Sequence, residues 1–339
     1  MSAKVLLVTG SFPPDVCGVG DYSAELLGAM REQGIDATSY YRRDWRVTSV
    51  LSHFSRLRRA ADVIVMQHPT QGYSGRVSPY LLCAMPLASR KIVTLHEYSR
   101  KGAAGKLLAY LFFVFADHIV FTADAERDAA CLAAPWIRGK SSVVPIGSNI
   151  PMRAPQVPRV DVAYFGLIRP GKGLEEFVDV LRAMGKRAAG LKIALIGQTV
   201  PGFEAFSDET FATLREMGVE LVLNRSGEEV ADLLSSTRVA LLPFPDGVTR
   251  RRGSALAAMG NGALLVTTRP QTEADFFEGL CVMRDSIREL ADVTLAAVAN
   301  PEPTRGVRDA GMAYAQSLSW SSIAQSYNGI VSRIEGRAV

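Results

Sequence analysis

The segment with the clearest chemical potential lies near the middle of the chain, where an apolar run ends at Gly166. Arg169 and Lys172 follow among glycines, and Gly173 directly precedes a helical pattern over residues 174–184. Exposed backbone N–H groups at a helix N-terminus attract anions. A planar arginine and a point-charged lysine beside them suit a diphosphate. The spacing therefore predicts an anion site for a leaving diphosphate, and an ordinary surface loop with two solvated cations is the alternative.

A second glycine-rich turn lies near the start of the chain. A buried-strand pattern over residues 4–9 leads to Gly18 and Gly20, and a helical pattern runs from Tyr22 to Gln33. Glycines that follow a first strand let a ligand approach the backbone closely. The dinucleotide fingerprint G-x-G-x-x-G is absent, so this turn predicts a ligand loop of another kind, or a strand-to-helix turn that binds nothing.

Length and composition are those of a soluble two-domain enzyme. The 339 residues favour two domains, and 48% hydrophobic with 21% charged residues is ordinary for such a protein. The net charge of +4 fits an anionic substrate or a membrane surface. Patterns typical of RNA-binding, zinc-finger or basic-zipper modules are absent, so we predict no nucleic-acid partner.

The cysteines and the N-terminus indicate a compartment. Cys17, Cys83, Cys131 and Cys281 lie far apart and lack metal-ligand spacing. This usage is typical of reduced cysteines in a cytoplasmic protein and predicts no metal site. The chain begins directly with a strand pattern, so we expect no signal peptide.

The longest apolar run covers residues 107–116. A membrane span takes about 20 residues, so this run is too short to cross a bilayer and predicts a buried helix. Nearby cations, among them Lys101 and Lys106, keep a second interpretation open, in which the helix lies on a membrane surface.

Strand and helix patterns alternate along the whole chain, which predicts parallel sheets. A proline-rich stretch over residues 145–158 divides two such series and indicates a domain linker. We therefore predict an α/β fold of two doubly wound domains that face each other across a cleft. The predicted strands lie near residues 4–9, 62–67, 91–96, 118–122 and 142–146 before the linker, and near 160–165, 191–196, 219–223, 238–242 and 263–267 after it.

The order and spacing of these motifs resemble glycosyltransferase family 4, whose twin Rossmann-like architecture is called GT-B. The motifs that carry the resemblance are Phe12-Pro13-Pro14 with Gly18 and Gly20, the strand that ends in His96, the linker 145–151, the loop 166–173, and the segments 243–247 and 251–254. The resemblance implies an acceptor-side domain over residues 1–152 that is completed by a C-terminal helix over 319–339. It implies a nucleotide-sugar-binding domain over 153–318.

Members of this family transfer a sugar from a nucleotide-sugar donor to an acceptor hydroxyl with retention of configuration, usually without a metal. The resemblance implies that Arg169 and Lys172 hold the donor diphosphate and stabilise the charge that develops on it. It implies that His96 lies at the reacting centre, and a hydrogen-bonded structural histidine is the alternative. No cofactor is expected, because the nucleotide-sugar is itself the substrate.

The last glycine-rich loop departs from the family pattern. Family members commonly have two glutamates eight positions apart here, and those positions hold Thr249 and Ala257. In their place stand charged and small residues that we assign to donor binding, unless the arginines form a solvated surface. These residues are Asp246, Arg251, Arg252, Gly253 and Ser254, which join Gly18, Gly20, Gly166 and Gly173 in the predicted donor site.

On the acceptor side the resemblance assigns Asp21, Gln67 and His68. The implied acceptor is a sugar, a lipid-linked molecule or a small molecule, in polysaccharide, glycolipid or natural-product assembly. The implied enzyme is bacterial and cytoplasmic, with a peripheral membrane contact left open. Because both glutamates are missing, a binding or scaffold protein without activity is the alternative function. A sugar-nucleotide epimerase or a nicotinamide-dependent dehydrogenase fits less well, for want of a carboxylate pair and of the dinucleotide fingerprint.

Overall fold

The structure is a computed structural model that describes residues 3–15, 17–73, 75–99, 101–272 and 274–336. The chain folds as two compact units. The first unit takes the chain up to Ile146 and again from Trp320, and the second unit is Gly147–Ser319.

The first unit is built on a six-stranded parallel sheet in the order β2-β1-β3-β4-β5-β6. Its strands are β1 (Val5–Thr9), β2 (Ala37–Tyr41), β3 (Val63–His68), β4 (Arg90–Leu95), β5 (His118–Phe121) and β6 (Ser141–Val143). Its helices up to the linker are α1 (Gly18–Glu32), α2 (Val50–Leu57), α3 (Ser78–Ala84), α4 (Ala103–Phe115) and α5 (Asp124–Ala133). Every residue of β1, β3 and β5 is buried, as expected of parallel strands that are covered on both faces.

The second unit holds another six-stranded parallel sheet, in the order β12-β11-β10-β7-β8-β9. Its strands are β7 (Val160–Ile168), β8 (Ile193–Thr199), β9 (Glu220–Leu223), β10 (Thr237–Leu242), β11 (Leu264–Thr268) and β12 (Val282–Arg284). Its helices are α6 (Leu174–Met184), α7 (Glu204–Glu216), α8 (Gly227–Ser235), α9 (Gly253–Gly260), α10 (Ala274–Phe277), α11 (Ile287–Ala299) and α12 (Arg305–Ser317).

The strand orders show where the order of strands reverses in each sheet. In the first unit β1 lies between β2 and β3, and in the second unit β7 lies between β8 and β10. Ligands of doubly wound sheets bind beyond the carboxyl ends of the strands at such a switch point. The loops that follow β1 and β3, and those that follow β7 and β10, are therefore the expected ligand loops of the two units.

The last helix, α13 (Trp320–Ile334), belongs to the first unit. Its side chains Ile323, Tyr327 and Val331 are buried in a core that α1 and the sheet complete. The helix thus covers one face of the sheet, and the α4–α5 side of the unit encloses a separate core on the other face.

Several local expectations needed correction. Helix α1 begins at Gly18 rather than Tyr22, so the two glycines form its first turn. Strand β7 does not end at Gly166 but continues to Ile168, because Gly166 pairs with Gly197 on β8 and the ladder runs on to Thr199. The short edge strands β2 and β12 were not predicted.

The apolar run in α4 does not form a fully buried helix. Ala109, Phe112 and Phe113 are buried, but Leu107 is 71% exposed and Val114 is 55% exposed. Among the described residues no helix combines the length and apolarity that crossing a membrane requires. The four cysteines are free thiols, three of them buried.

Candidate functional site

In the second unit, the loop between β7 and α6 is held in one shape from two sides. Gly173 has a φ of +94°, and a Cβ there would lie 2.7 Å from the carbonyl oxygen of Pro243. The buried Tyr164 hydroxyl donates a hydrogen bond to the Lys172 carbonyl oxygen at 3.0 Å. Glycine at position 173 therefore lets the loop after β7 pack directly on the loop after β10, so the two predicted donor loops contact each other.

The charged groups of this loop are two half-buried cations and two glutamates. Within the described chain, Arg169 makes no hydrogen bond or ion pair although it is half-buried. Glu175 accepts a hydrogen bond from the Gly171 N–H at 3.4 Å, and Glu176 also lies in the first turn of α6. Burial raises the pKa of the Glu176 carboxyl. The loop therefore presents Arg169 with its donors unused.

The loop after β10 is organised around Arg252. This side chain pairs with Asp246 and lies over the ring of Phe244, 4.4 Å from its centroid. Only 14% of the Arg252 side chain is exposed. Arg250 lies in the same way over Phe276, at 4.3 Å. Arg252 thus stabilises the loop through contacts with other residues of the protein, independently of any ligand.

The remaining predicted donor residues have different packing environments. Gly253 begins α9, and a Cβ there would meet no atom within 4 Å, so packing does not require glycine. Ser254 and Arg251 are half-buried beside it. At Gly166 a Cβ would lie 3.2 Å from the Tyr164 hydroxyl, which explains glycine by packing.

Positions 249 and 257, where the resemblance expects glutamates, have different surroundings. Ala257 is 0% exposed and belongs to a core cluster with Val160 and Ala163. Thr249 is half-buried in the loop before α9. Neither position holds a carboxylate. The acidic residue of this loop, Asp246, forms an ion pair with Arg252.

In the first unit, the loops after β1 and β3 interlock at the switch point. The Gly72 N–H donates to Ser11 Oγ at 2.7 Å, and a side chain at Gly72 would overlap the Gly10 carbonyl. A Cβ at Gly20 would lie 3.2 Å from the Ser11 backbone. Gly20 is thus needed for close packing of α1 on this loop, whereas Gly18 is exposed and meets nothing.

His96 lies directly after β4 and is almost completely buried. Its Nε2 donates a hydrogen bond to Gln67 Oε1 at 2.9 Å, and its backbone N–H bonds to the His68 carbonyl at 2.9 Å. The Tyr22 ring stands edge-on to the imidazole at 4.9 Å. In the neutral ring this bond keeps the proton on Nε2, which leaves Nδ1 as the basic nitrogen. The structure thus brings the predicted catalytic histidine against a predicted acceptor-side residue.

A buried hydroxyl network reaches this histidine through Tyr22. The Tyr327 hydroxyl on α13 lies 2.7 Å from Thr94 Oγ1 on β4 and 3.1 Å from the Tyr22 hydroxyl. Tyr22 and Tyr327 are both fully enclosed, and burial raises both phenol pKa values. Sequence analysis missed this role of Tyr327, because it depends on a helix more than 200 residues from β4.

His68 is enclosed by aromatic rings. Tyr73, Tyr80 and Phe112 lie 5.7, 4.7 and 5.1 Å from it, measured between ring centroids. Burial first, and then the charge of Lys101 and the proximity of His96, hold the pKa of His68 well below its usual range. Lys101 Nζ donates to His68 Nδ1 at 3.4 Å and to the Tyr80 hydroxyl at 3.2 Å. His68 is therefore a neutral, caged imidazole.

Asp21 occupies the first turn of α1 and is half-buried, and burial raises its pKa. It is adjacent in sequence to Tyr22, whose ring contacts His96. The predicted acceptor-side residues Asp21, Gln67 and His68 therefore all lie on elements that surround His96.

Comparison with known proteins identifies the fold class. No family model matches the sequence, and no curated protein matches it. Solved structures match over nearly the whole chain. HepE of Anabaena, solved in complex with UDP, is 14% identical with a TM-score of 0.73, and the match covers 97% of this chain and 100% of HepE.

Two further structures extend this likeness. Sucrose-phosphate synthase of Thermosynechococcus elongatus is 15% identical with a TM-score of 0.72, covering 98% of this chain and 99% of its own. The catalytic domain of starch synthase IV of Arabidopsis thaliana, bound to ADP and acarbose, is 10% identical with a TM-score of 0.67, covering 99% and 100%. The fold is GT-B.

Two cavities within this GT-B fold lie away from the switch points. One of about 600 Å³ opens at the amino ends of β1, β3 and β4, where Lys4, Asp62 and Arg90 line it. A smaller one of about 140 Å³ lies near Thr237 and Leu264, again at strand amino ends. Among the described residues no cluster of three or more histidine, cysteine or acidic side chains is placed to hold a metal ion.

Proposed function

We propose that this protein is a retaining, metal-independent glycosyltransferase of family 4 that moves a sugar from a nucleotide-sugar donor to an acceptor hydroxyl. The observation that carries the proposal is Arg169. Its guanidinium is half-buried beside the switch-point strand β7, makes no bond within the described chain, and stands in a loop that Tyr164 and Gly173 hold in place. A half-buried guanidinium whose donors are unused at this point suits a diphosphate.

Solved structures that share this fold support the same proposal. HepE was solved with UDP, with UDP and glucose, and with UDP-glucose, and starch synthase IV was solved with ADP. We infer that the donor is a nucleoside diphosphate sugar and that Arg169 and Lys172 bind its diphosphate. As the sugar leaves, charge grows on the diphosphate, and preorganised cations stabilise that charge without reorganising solvent.

In the proposed reaction His96 lies against the transferred sugar and the acceptor, and Gln67 orients its ring. Asp21 and His68 line the acceptor side, and because His68 is neutral it acts there by shape and hydrogen bonding rather than by charge. The acceptor is proposed to be a sugar, a lipid-linked molecule or a small molecule, in polysaccharide, glycolipid or natural-product assembly.

Nucleotide binding tests the proposal. Thermal unfolding is followed with UDP, ADP, GDP, CMP and dTDP, for the wild type and for Arg169→Ala. A ligand present at about 100 times its Kd adds roughly 2.7 kcal/mol to the free energy of unfolding. We expect one nucleotide to raise the melting temperature of the wild type and to lose this effect in Arg169→Ala.

A matched control is Arg182→Ala. Arg182 lies in the last turn of α6, where it is exposed and paired with Asp179 at 3.0 Å. Replacing it by alanine therefore removes the same charge from the same unit without changing the loop. The proposal predicts that Arg182→Ala keeps the nucleotide shift. If both variants lose it equally, the effect is one of net charge and the diphosphate site is refuted.

A second candidate function is nucleotide binding without turnover. The observation that favours it is Ala257, which is wholly buried where the resemblance expects a carboxylate. A nucleotide shift that depends on Arg169, together with no diphosphate release from any nucleotide-sugar, would favour this scaffold function. Where release occurs, proton NMR of the first sugar product tests retention, since a retaining enzyme releases the anomer of the donor.

A further inference from the structure

Helix α4 has an apolar face that the rest of the described chain covers only in part, because Leu111 packs against the core while Leu107 and Val114 are exposed. Leu107, Leu111 and Val114 follow one another at spacings of four and three residues, so they share one side of the helix. Leu107 is 71% exposed and Val114 55% exposed, while the opposite side, with Phe112 and Phe113, is fully buried. A helix that is apolar on all sides is normally enclosed on all sides, so this outer face calls for a covering surface.

The same surface continues beyond α4. Tyr110 lies between Leu107 and Val114 on the helix, and its hydroxyl donates to the Ala133 carbonyl at the end of α5 at 2.9 Å. Its ring contacts Trp136, with 6.0 Å between the ring centroids. Trp136 is 54% exposed, and Leu132, four residues earlier in the chain, is 82% exposed. We call this surface the α4 patch; it comprises Leu107, Tyr110, Leu111, Val114, Phe115, Leu132 and Trp136.

The charges around the α4 patch are mostly positive. Lys106 is exposed on the helix itself, and Arg138 is exposed two residues after Trp136. Lys140 Nζ caps the end of α4 by donating to the Val114 and Ala116 carbonyls at 3.3 and 2.7 Å. Lys91 Nζ lies 6.0 Å from the centre of the Phe115 ring.

Four acidic residues lie on α5 or directly after α4. Asp117 is paired with Arg90 at 2.9 Å and so adds little net charge. Glu126 is buried and accepts hydrogen bonds from the Ser99 N–H and hydroxyl. Asp124 and Asp128 are exposed on α5, and Asp128 lies one turn before Leu132. The cations thus outnumber the uncompensated carboxylates around the patch, which gives it complementarity to an anionic surface.

We propose that the α4 patch docks this protein onto an anionic phospholipid membrane. The aliphatic side chains enter the boundary between headgroups and acyl chains, Trp136 and Tyr110 lie at headgroup depth, and Lys106 and Arg138 meet the lipid phosphates. A second copy fits the patch less well, because a symmetric contact would bring the cations of the two copies together. This inference does not depend on the proposed function.

Another exposed apolar pair lies on the same unit and provides a matched control. Val47, in the 3-10 turn before α2, and Leu51, in the first turn of α2, are 58% and 69% exposed, close to the values for Val114 and Leu107. They also lie near arginines, but Arg43 is paired with Asp15 and Arg46 with Asp44. The double variants Leu107→Gln/Val114→Gln and Val47→Gln/Leu51→Gln therefore remove equal apolar surface from two different places.

The test is cosedimentation of the full chain with sucrose-loaded vesicles of phosphatidylcholine alone or with 30% phosphatidylglycerol. We expect binding to the anionic vesicles only, at least tenfold weaker binding after Leu107→Gln/Val114→Gln, and unchanged binding after Val47→Gln/Leu51→Gln. Brominated lipids should quench fluorescence in the wild type, and Trp136→Phe should abolish most of that quenching. Circular dichroism establishes that each variant is folded.

Three results would overturn the proposal. The first is no binding to anionic vesicles, or equal binding to neutral ones. The second is an equal loss of binding in both double variants. The third is a concentration-dependent dimer in sedimentation velocity that Leu107→Gln/Val114→Gln abolishes, since a second copy would then be the occupant of the α4 patch.

Discussion

Replacing Gly173 by alanine tests whether the candidate donor loop is held in the single shape that the site requires. Gly173 has a φ of +94°, and a new Cβ would lie 2.7 Å from the Pro243 carbonyl oxygen and 3.0 Å from its carbonyl carbon. Gly171 in the same loop is also left-handed, with a φ of +71°, but a Cβ there would meet no atom within 4 Å. Gly171→Ala is therefore the matched control.

The two substitutions share one cost and differ in another. A left-handed backbone costs a non-glycine residue about 1–2 kcal/mol, and stiffening of the unfolded chain offsets about 0.4–1 kcal/mol of that. Gly171→Ala should therefore lower the free energy of unfolding by about 0–1.6 kcal/mol. Gly173→Ala must also displace backbone at Pro243, which adds about 1–3 kcal/mol by comparison with overpacked cores.

The positions of the tryptophans make the assay specific to one unit. Trp45, Trp136 and Trp320 all lie in the first unit, so their fluorescence follows that unit, whereas far-ultraviolet circular dichroism follows both. In urea titrations we expect Gly173→Ala to shift the dichroism transition more than Gly171→Ala, with the fluorescence transition unchanged. Equal shifts for the two variants would refute the packing of the two loops, and with it the shape of the proposed site.

Two further predictions concern the first unit. Tyr327→Phe removes the hydroxyl that bonds Thr94 and Tyr22, so urea titration should show a free energy of unfolding lower by about 1–3 kcal/mol. Initial rates should show a lower kcat with little change in the KM for the donor. An unchanged kcat would exclude support of His96 by this network. Burial lowers the pKa of His68 and, to about 4, that of His118. Each folded pKa lies below the unfolded value near 6.5, so the unfolded state binds more protons as the pH falls. The free energy of unfolding should then decrease below pH 6.5 by up to about 1.4 kcal/mol per pH unit for each histidine. In titrations followed by fluorescence, His118→Asn should remove the contribution of one histidine to this slope. An unchanged slope would contradict the lowered pKa of His118.

Strong periodic patterns made much of the fold predictable. The helix predicted over residues 174–184 is α6 with those bounds, and α13 (Trp320–Ile334) lies within the C-terminal helix predicted over 319–339. In each, apolar residues recur at helical spacing, and this local signal agrees with the packing. The parallel strands were equally legible, because strands buried on both faces are continuous apolar runs. The edge strands β2 and β12 were missed because short, half-covered strands lack such a run.

The surroundings of the candidate residues depend on contacts that sequence spacing does not encode. Glycines 166, 171 and 173 marked the donor loop, but the contact of Gly173 with Pro243 joins residues 70 positions apart. The pairing of His96 with Gln67 could be expected only in outline, from neighbouring strand ends. The exposed face of α4 contradicted the simplest reading of its apolarity, because composition alone cannot tell which side of a helix meets the sheet.

The most direct test of the central claim is diphosphate release from nucleotide-sugars by the wild type, Arg169→Ala, His96→Ala and the control Arg182→Ala. We predict release from at least one donor by the wild type and by Arg182→Ala, and a loss of roughly 100-fold or more in rate for Arg169→Ala. Wild-type release that Arg169→Ala retains in full, or no release from any nucleotide-sugar with any acceptor class, would contradict the proposed glycosyl transfer.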